Sequence, residues 1–121
     1  MSEIAKAFSE LDQLQVGIGE VAFIFCKISA VAVKTHRYRF LIDPAGYFSL
    51  EDIRSLGQLD AILITHEHYD HFDSSSTVKM QQATGAIIVC NLGAYAPLRG
   101  RVAAEKVVLL EPDKDADMKG A

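Results

Sequence analysis

Three of the four histidines of the chain fall within the seven-residue segment Thr-His-Glu-His-Tyr-Asp-His at positions 65–71. The candidate ligands in this segment are His66, His68, Asp70 and His71. Imidazole and carboxylate groups are common ligands of divalent metal ions, so their density here indicates a metal site. The segment directly follows the apolar run at positions 60–64, which predicts a buried strand that ends where the histidines begin.

The spacing of these residues predicts how the backbone must run. In an extended chain His66, His68 and Asp70 face one way and His71 faces the other. Side chains two positions apart are roughly 7 Å apart along a strand, so they converge on one ion only where the chain curls. The Asp-Ser-Ser-Ser segment at 73–76 supplies a turn and a helix N-cap. We therefore predict a strand, a ligand loop and a helix, with His66 and His68 serving one ion and Asp70 and His71 a second.

The segment also admits other interpretations. His66-Glu67 begins like the H-E-x-x-H zinc-protease motif, but position 70 is Asp, and that motif requires a second His there. A strand followed by H-x-H also occurs in barrel hydrolases. Their barrel needs about 250 residues, twice the length of this chain, so this interpretation does not fit. A solvated, histidine-rich polar loop remains as the alternative without chemistry.

The motif His66-x-His68-x-Asp70-His71, following Ile-Leu-Ile-Thr, resembles the signature of the metallo-β-lactamase superfamily. The upstream segment Leu-Ile-Asp-Pro-Ala-Gly at 41–46 also resembles that family, in which such an Asp ends the preceding strand and supports the metal loop. In detail the sequence is similar to the branch of metal-dependent hydrolases related to ascorbate-6-phosphate lactonase. The resemblance extends over roughly residues 15–110.

The resemblance implies a two-metal site, most often with zinc and sometimes with manganese or iron. In such a site a metal-bound hydroxide attacks an ester, lactone or phosphate-ester bond of a small-molecule substrate. It implies that His66 and His68 bind the first metal and that Asp70 and His71 bind the second. Asp70 would also orient the nucleophile, which makes it the candidate catalytic residue.

Two further polar residues require an interpretation. The resemblance implies that Asp43 holds an imidazole by its free N–H group. A simple turn residue before Pro44 is an equally weighted alternative. His36 lies in Lys-Thr-His-Arg at 34–37, between two apolar runs, and is predicted at an exposed hairpin tip rather than at the metal.

The sequence departs from the family in its second half. Full members run well past 200 residues and supply further metal ligands from a C-terminal half, whereas no histidine follows His71 here. The later carboxylates are Asp73, Glu105, Glu111, Asp113, Asp115 and Asp117. Three interpretations stay open: a fragment that lacks its C-terminal half, a half-domain that pairs with another chain, for example as a homodimer, and a chain that has lost catalysis.

Composition predicts one domain over 1–121, with a flexible acidic tail at 111–121. The net charge is −4 without a cluster of Lys or Arg, so nucleic acid is not indicated as a partner. The N-terminus lacks the basic region of a signal peptide. The apolar stretch 21–33 is interrupted by Lys27 and is too short to span a bilayer. Both features favour a cytoplasmic protein. Cys26 and Cys90 are predicted as buried free thiols.

The hydrophobic pattern predicts an α/β fold. The predicted helices are 2–14, a capped helix that begins at Ser49 and ends at Gly57, 74–84 and 92–98, and the predicted strands are 17–26, 29–34, 37–42, 59–65, 86–90 and 106–110. This order is an α/β layer pattern, and the resemblance to the family implies the N-terminal half of an αββα sandwich of the metallo-β-lactamase type, a mixed sheet with covering helices. The metal motif then lies at the carboxyl end of a central strand, where open α/β sheets bind ligands.

Overall fold

The computed structural model describes residues 2–111, so most of the predicted tail at 111–121 lies outside the described residues. The helices are α1 (Glu3–Gln13), α2 (Leu50–Arg54), α3 (Ser74–Thr84) and α4 (Leu92–Tyr95), with short 3-10 turns at Ala96–Leu98 and Ala104–Lys106. The strands are β1 (Val21–Lys27), β2 (Ala30–Thr35), β3 (Arg39–Ile42), β4 (Ala61–Leu63), β5 (Ile87–Cys90) and β6 (Val107–Leu109).

The six strands form one mixed sheet whose spatial order, β1 to β6, is the order of the chain. Strands β1, β2 and β3 pair antiparallel, and β3 to β6 pair parallel. The predicted meander followed by alternating helices and strands is therefore confirmed. The first strand begins at Val21 rather than at residue 17, because residues 17–20 form a turn in which the Glu20 carboxylate accepts the N–H of Gly17 at 2.8 Å.

Capping residues set the limits of the helices. The Asp73 side chain accepts the N–H of Ser76 at the start of α3, and Gly85 ends that helix with a φ of 74°. At the start of α2 the Ser49 side chain accepts the N–H of Asp52, and the Asp52 carboxylate accepts the N–H of Ser49. Both bonds of the predicted capping box are therefore present.

The main core lies on one face of the sheet, where all four helices pack. Phe8 of α1, Ile53 of α2 and Val78 of α3 join Leu41 of β3 and Ile88 of β5 in this cluster. Cys90 is buried there and Cys26 is half-buried, and both thiols are free. Among residues 2–111, no helix is long and apolar enough to cross a membrane.

The opposite sheet face carries a separate, smaller cluster of Ile87, Val89 and Val108. On β1 the side chains that point away from the helices are exposed, with Val21 at 62%, Phe23 at 69% and Phe25 at 64%. The sheet therefore presents apolar surface on its β1 side that the described helices leave uncovered.

Lys34 is an unexpected buried cation on β2, at 9% exposure. Its ammonium donates hydrogen bonds to the backbone carbonyls of Leu11, Asp12 and Leu14, at 3.2, 2.7 and 2.6 Å. These carbonyls lie at the C-terminal end of α1, where the helix leaves its last C=O groups without partners. Lys34 thus links the C-terminal end of α1 to strand β2 by hydrogen bonds.

Candidate metal centre

The candidate site forms where β3, β4 and β5 end side by side. The N–H of Asp43, just beyond β3, donates to the Leu63 carbonyl, and the N–H of Ile64 donates to the Val89 carbonyl, each at 2.8 Å. Because these strands are parallel, their carboxyl ends meet at one edge of the sheet. Polar residues that follow the three strands are therefore brought together there.

The backbone of the histidine loop turns back on itself after His68. The His68 carbonyl accepts the N–H groups of both His71 and Phe72 at 2.9 Å. The Phe72 side chain, 8% exposed, is buried in the main core and anchors the far end of the loop. This turn returns Asp70 and His71 to the position of His66.

Three of the predicted ligands converge in this arrangement. One side-chain ligand atom from each of His66, Asp70 and His71 lies within 4.8 Å of the other two. The exposed His68 side chain is not part of that group, although its ring stands edge-on to the His66 ring with a centroid separation of 4.6 Å. The structure thus groups the residues differently from the predicted pairs His66–His68 and Asp70–His71. Their assignment to particular ions remains a prediction.

The Asp43 carboxylate lies behind these ligands and is 3% exposed. Its Oδ2 atom is 2.8 Å from Nδ1 of His71 and accepts the hydroxyl of Thr65 at 2.6 Å. Its Oδ1 atom accepts the Thr65 N–H at 2.7 Å. The Thr65 hydroxyl oxygen is in turn 2.9 Å from Nδ1 of His66. One buried carboxylate is thereby linked to two imidazoles, directly and through Thr65.

These contacts favour one tautomer for both rings. A carboxylate accepts hydrogen bonds, so Nδ1 of His71 is the donor. The Thr65 hydroxyl gives its proton to Asp43, so Nδ1 of His66 donates to the hydroxyl oxygen. In the neutral tautomer with Nδ1–H, Nε2 is the nitrogen of each ring that can bind a metal. Nε2 of His71 lies 3.7 Å from Oδ2 of Asp70.

Asp43 also has the turn geometry predicted by the alternative interpretation of this residue. Its φ is 46°, in the left-handed region, and it precedes the buried Pro44. The turn conformation and the contact with His71 therefore occur in the same residue. Thr65 was not singled out from the sequence, and its position between the strand and the first histidine is the only local signal for it.

A second contact fixes the other side of the loop. The Asn91 amide, just beyond β5, donates to the Glu67 carboxylate at 2.8 Å, and this bond lowers the pKa of Glu67 below its ordinary value. Gly93 lies so close that a Cβ atom there would be 2.5 Å from the Glu67 carboxyl carbon. The loop is thus held by residues from the ends of β3 and β5.

The donor set fits a divalent metal ion. Two imidazoles and one carboxylate are ligands suited to zinc, iron or manganese. The His71 and Asp70 side chains are 23% and 43% exposed, so the group opens toward solvent and leaves room for water or a substrate. Within residues 2–111, this is the one group of three or more His, Cys, Asp or Glu side chains with such spacing.

Comparison with known sequences identifies the family. The sequence model of the beta-lactamase superfamily domain matches residues 38–120, more than half of the chain, and the chain belongs to this family. A UPF0173 metal-dependent hydrolase from Rubrobacter xylanophilus is 40% identical over 52 residues, which are 41% of this chain and 21% of that protein.

Solved structures show the same fold. A metallo hydrolase from the archaeon Ignicoccus hospitalis, Igni18, matches with a TM-score of 0.65 and 22% identity, over 83% of this chain and 43% of that one. The metallo-beta-lactamase SMB-1 matches with a TM-score of 0.53 and 23% identity, over 74% of this chain and 43% of that one. The chain therefore has part of the metallo-β-lactamase fold and spans less than half the length of these relatives.

Proposed function

We propose that this chain carries the metal-binding half of a metal-dependent hydrolase. The observation that carries the proposal is the convergence of His66, Asp70 and His71 within 4.8 Å at the carboxyl edge of the sheet. The substrate classes we propose are small molecules with an ester, lactone or phosphate-ester bond. Zinc is the metal we expect, with manganese and iron as alternatives.

The residues would act as follows. His66 and His71 would bind metal through Nε2, with their Nδ1–H groups held by Thr65 and Asp43. Asp70 would add a carboxylate oxygen and, at 43% exposure, orient an attacking water toward the open side. A bound divalent ion would lower the pKa of a coordinated water and polarise the scissile group. The exposed His68 ring, beside His66, is available as a further ligand after a rotation of its side chain.

The direct test is metal binding by the purified chain, measured by isothermal titration calorimetry with Zn²⁺. We expect stoichiometric binding by the wild type and loss of tight binding in His66→Ala and His71→Ala. His36→Ala is the matched control, because His36 is exposed in the β2–β3 turn with Nδ1 3.0 Å from the Val16 carbonyl. Unchanged Zn²⁺ affinity in the His66 and His71 variants would refute the proposal.

Catalysis is tested separately on chromogenic esters, lactones and phosphodiesters with the metal-loaded chain. Turnover that disappears in Asp70→Asn, while the variant stays folded by circular dichroism, is the expected result for an active hydrolase. Full turnover in Asp70→Asn would rule out the proposed role of that carboxylate.

A second candidate function is a half-domain that binds metal weakly and pairs with another chain. The exposed Val21, Phe23 and Phe25 on β1 favour it, because monomeric proteins rarely leave such apolar groups side by side on a sheet. Analytical ultracentrifugation of the wild type and of a Phe23→Ser/Phe25→Ser variant tests it. We expect self-association that the double variant removes. A monodisperse monomer with high hydrolase turnover would exclude this alternative.

A further inference from the structure

The carbonyl oxygen of Asp70 is held by two side chains from distant parts of the chain. The Ser29 hydroxyl, in the turn between β1 and β2, donates to it at 2.5 Å. The Tyr47 hydroxyl, in the loop before α2, donates to it at 2.8 Å. A carbonyl oxygen has two lone pairs, so these two bonds fill its capacity as an acceptor.

This carbonyl belongs to the peptide bond that joins two candidate ligands, Asp70 and His71. The plane of that peptide contains the Cα atoms of both residues, so holding its orientation restricts the directions in which both side chains leave the backbone. The next carbonyl, that of His71, accepts the N–H of Ala45 at 3.2 Å. Ser29 is also 3.2 Å from the carbonyl of Asp43, the residue that contacts the His71 ring. Ser29 therefore lies between the loop and the residue behind it.

The backbone around these contacts is strained. Three non-glycine residues within 2–111 have a positive φ, namely Ile28 at 50°, Asp43 at 46° and Ala45 at 43°. Ile28 immediately precedes Ser29, and the other two contact His71. A left-handed conformation is especially unfavourable for a β-branched residue such as Ile, and such conformations concentrate at functional sites. In this chain all three adjoin the contacts that hold the metal loop.

We propose that Ser29 and Tyr47 are positioning residues, whose hydroxyls fix the Asp70–His71 peptide and thereby preorganise the metal ligands. This inference rests on the proposed metal-binding function. Hydrogen-bonding partners behind metal ligands typically influence metal affinity by about 10- to 100-fold. Because both hydroxyls act on one oxygen, the effects of removing them are expected to be non-additive.

The experiment uses Co²⁺, whose visible absorption bands report ligand geometry as well as binding. We expect the Ser29→Ala/Tyr47→Phe variant to bind Co²⁺ about tenfold or more weakly than the wild type, with altered bands. The single variant Ser29→Thr retains a hydroxyl at this position and is expected to give the same Co²⁺ spectrum as the wild type. Ser55→Ala and Tyr38→Phe are matched controls: Ser55 donates to the Glu51 carbonyl in α2, and Tyr38 lies at the opposite end of β3 from the site.

The outcomes separate the two proposals. A wild type that binds no Co²⁺ overturns the metal-binding function itself. A wild type that binds, together with a double variant of equal affinity and identical bands, overturns only the positioning role. If circular dichroism shows the double variant unfolded, the single variants Ser29→Ala and Tyr47→Phe decide, since each leaves one hydroxyl on the carbonyl. Unchanged affinity and bands in both would then refute the inference.

Discussion

The Asp43 carboxylate lies 2.8 Å from Nδ1 of His71, across a sequence separation of 28 residues. The contact exists because β3 and β4 are parallel neighbours, so the residues that follow them share one edge of the sheet. The same carboxylate also binds both the N–H and the hydroxyl of Thr65. A single buried acid therefore sets the orientation of two rings.

Replacing this acid tests its role. Three groups donate hydrogen bonds to Asp43: the Thr65 N–H, the Thr65 hydroxyl and Nδ1–H of His71. In Asp43→Asn only one oxygen is left to accept them, and the NH₂ group cannot accept a hydrogen bond from His71. We expect Zn²⁺ affinity to fall by about 10- to 100-fold in calorimetric titrations. Asp52→Asn is the control, because it also removes a buried carboxylate but leaves the ligand loop untouched. Equal loss of affinity in both variants would mean that general destabilisation, rather than ring orientation, is the cause.

The two rings nearest to His66 are predicted to differ in importance. His71 belongs to the group within 4.8 Å, whereas His68 is exposed and outside it. We expect His71→Ala to weaken binding of the first Zn²⁺ equivalent much more than His68→Ala does. Competition with a chromophoric chelator gives the two constants. Comparable losses of Zn²⁺ affinity in the two variants would show that the loop rearranges on metal binding. His68 would then join the first site, as the spacing of the motif predicts.

Acid stability should depend on Asp52. Burial of its carboxyl raises the pKa, but hydrogen bonds from Ser2 and Ser49 outweigh this, and the pKa lies below its ordinary 3.8. A carboxyl with a lowered folded-state pKa stabilises the fold above pH 3.8, and this contribution is lost as the pH falls through the folded-state value. We expect Asp52→Asn to be less stable by about 1 kcal/mol at neutral pH, the order of one lost hydrogen bond. Its melting temperature should also decline less between neutral pH and pH 3 than that of the wild type, and a parallel decline would contradict the assignment.

Lys34 should contribute to stability without affecting the metal site. In Lys34→Met the apolar stem is retained, but the carbonyls of Leu11, Asp12 and Leu14 lose their charged donor. We expect a loss of about 2 kcal/mol in the free energy of unfolding, measured by urea denaturation. Lys6→Met, on the exposed side of α1, is the matched control and should change stability little. Equal effects of the two substitutions would show that the three carbonyls are satisfied by water once Lys34 is removed.

Much of the fold could be predicted because its signals are local. Helix α3 has the predicted bounds, since Asp73 and Gly85 define its two ends within a few residues. Strand β4 (Ala61–Leu63) is shorter than the predicted 59–65, and at its C-terminal end the reason is non-local. The N–H of Thr65 donates to the Asp43 carboxylate instead of continuing the ladder, and this exchange depends on how two strands are placed in space.

The candidate site was predictable in its residue types but not in its geometry. Imidazole and carboxylate ligands can be read from the motif, whereas the grouping of His66 with Asp70 and His71 depends on the turn at the His68 carbonyl. Ser29 and Tyr47 had no signal at all. They are 41 and 23 residues from Asp70, and a lone hydroxyl in a loop has no periodicity that would single it out.

The agreement between strand order and chain order bears on how this protein folds. Each strand after the first pairs with the strand that precedes it in sequence. No strand must wait for a segment that lies beyond its neighbour in the chain, although the parallel pairs between β3 and β6 are of a kind that forms slowly. Synthesis on the ribosome can therefore extend the sheet one strand at a time. The histidine loop has both of its flanking strands in place as soon as β5 has emerged, before the last part of the chain is made.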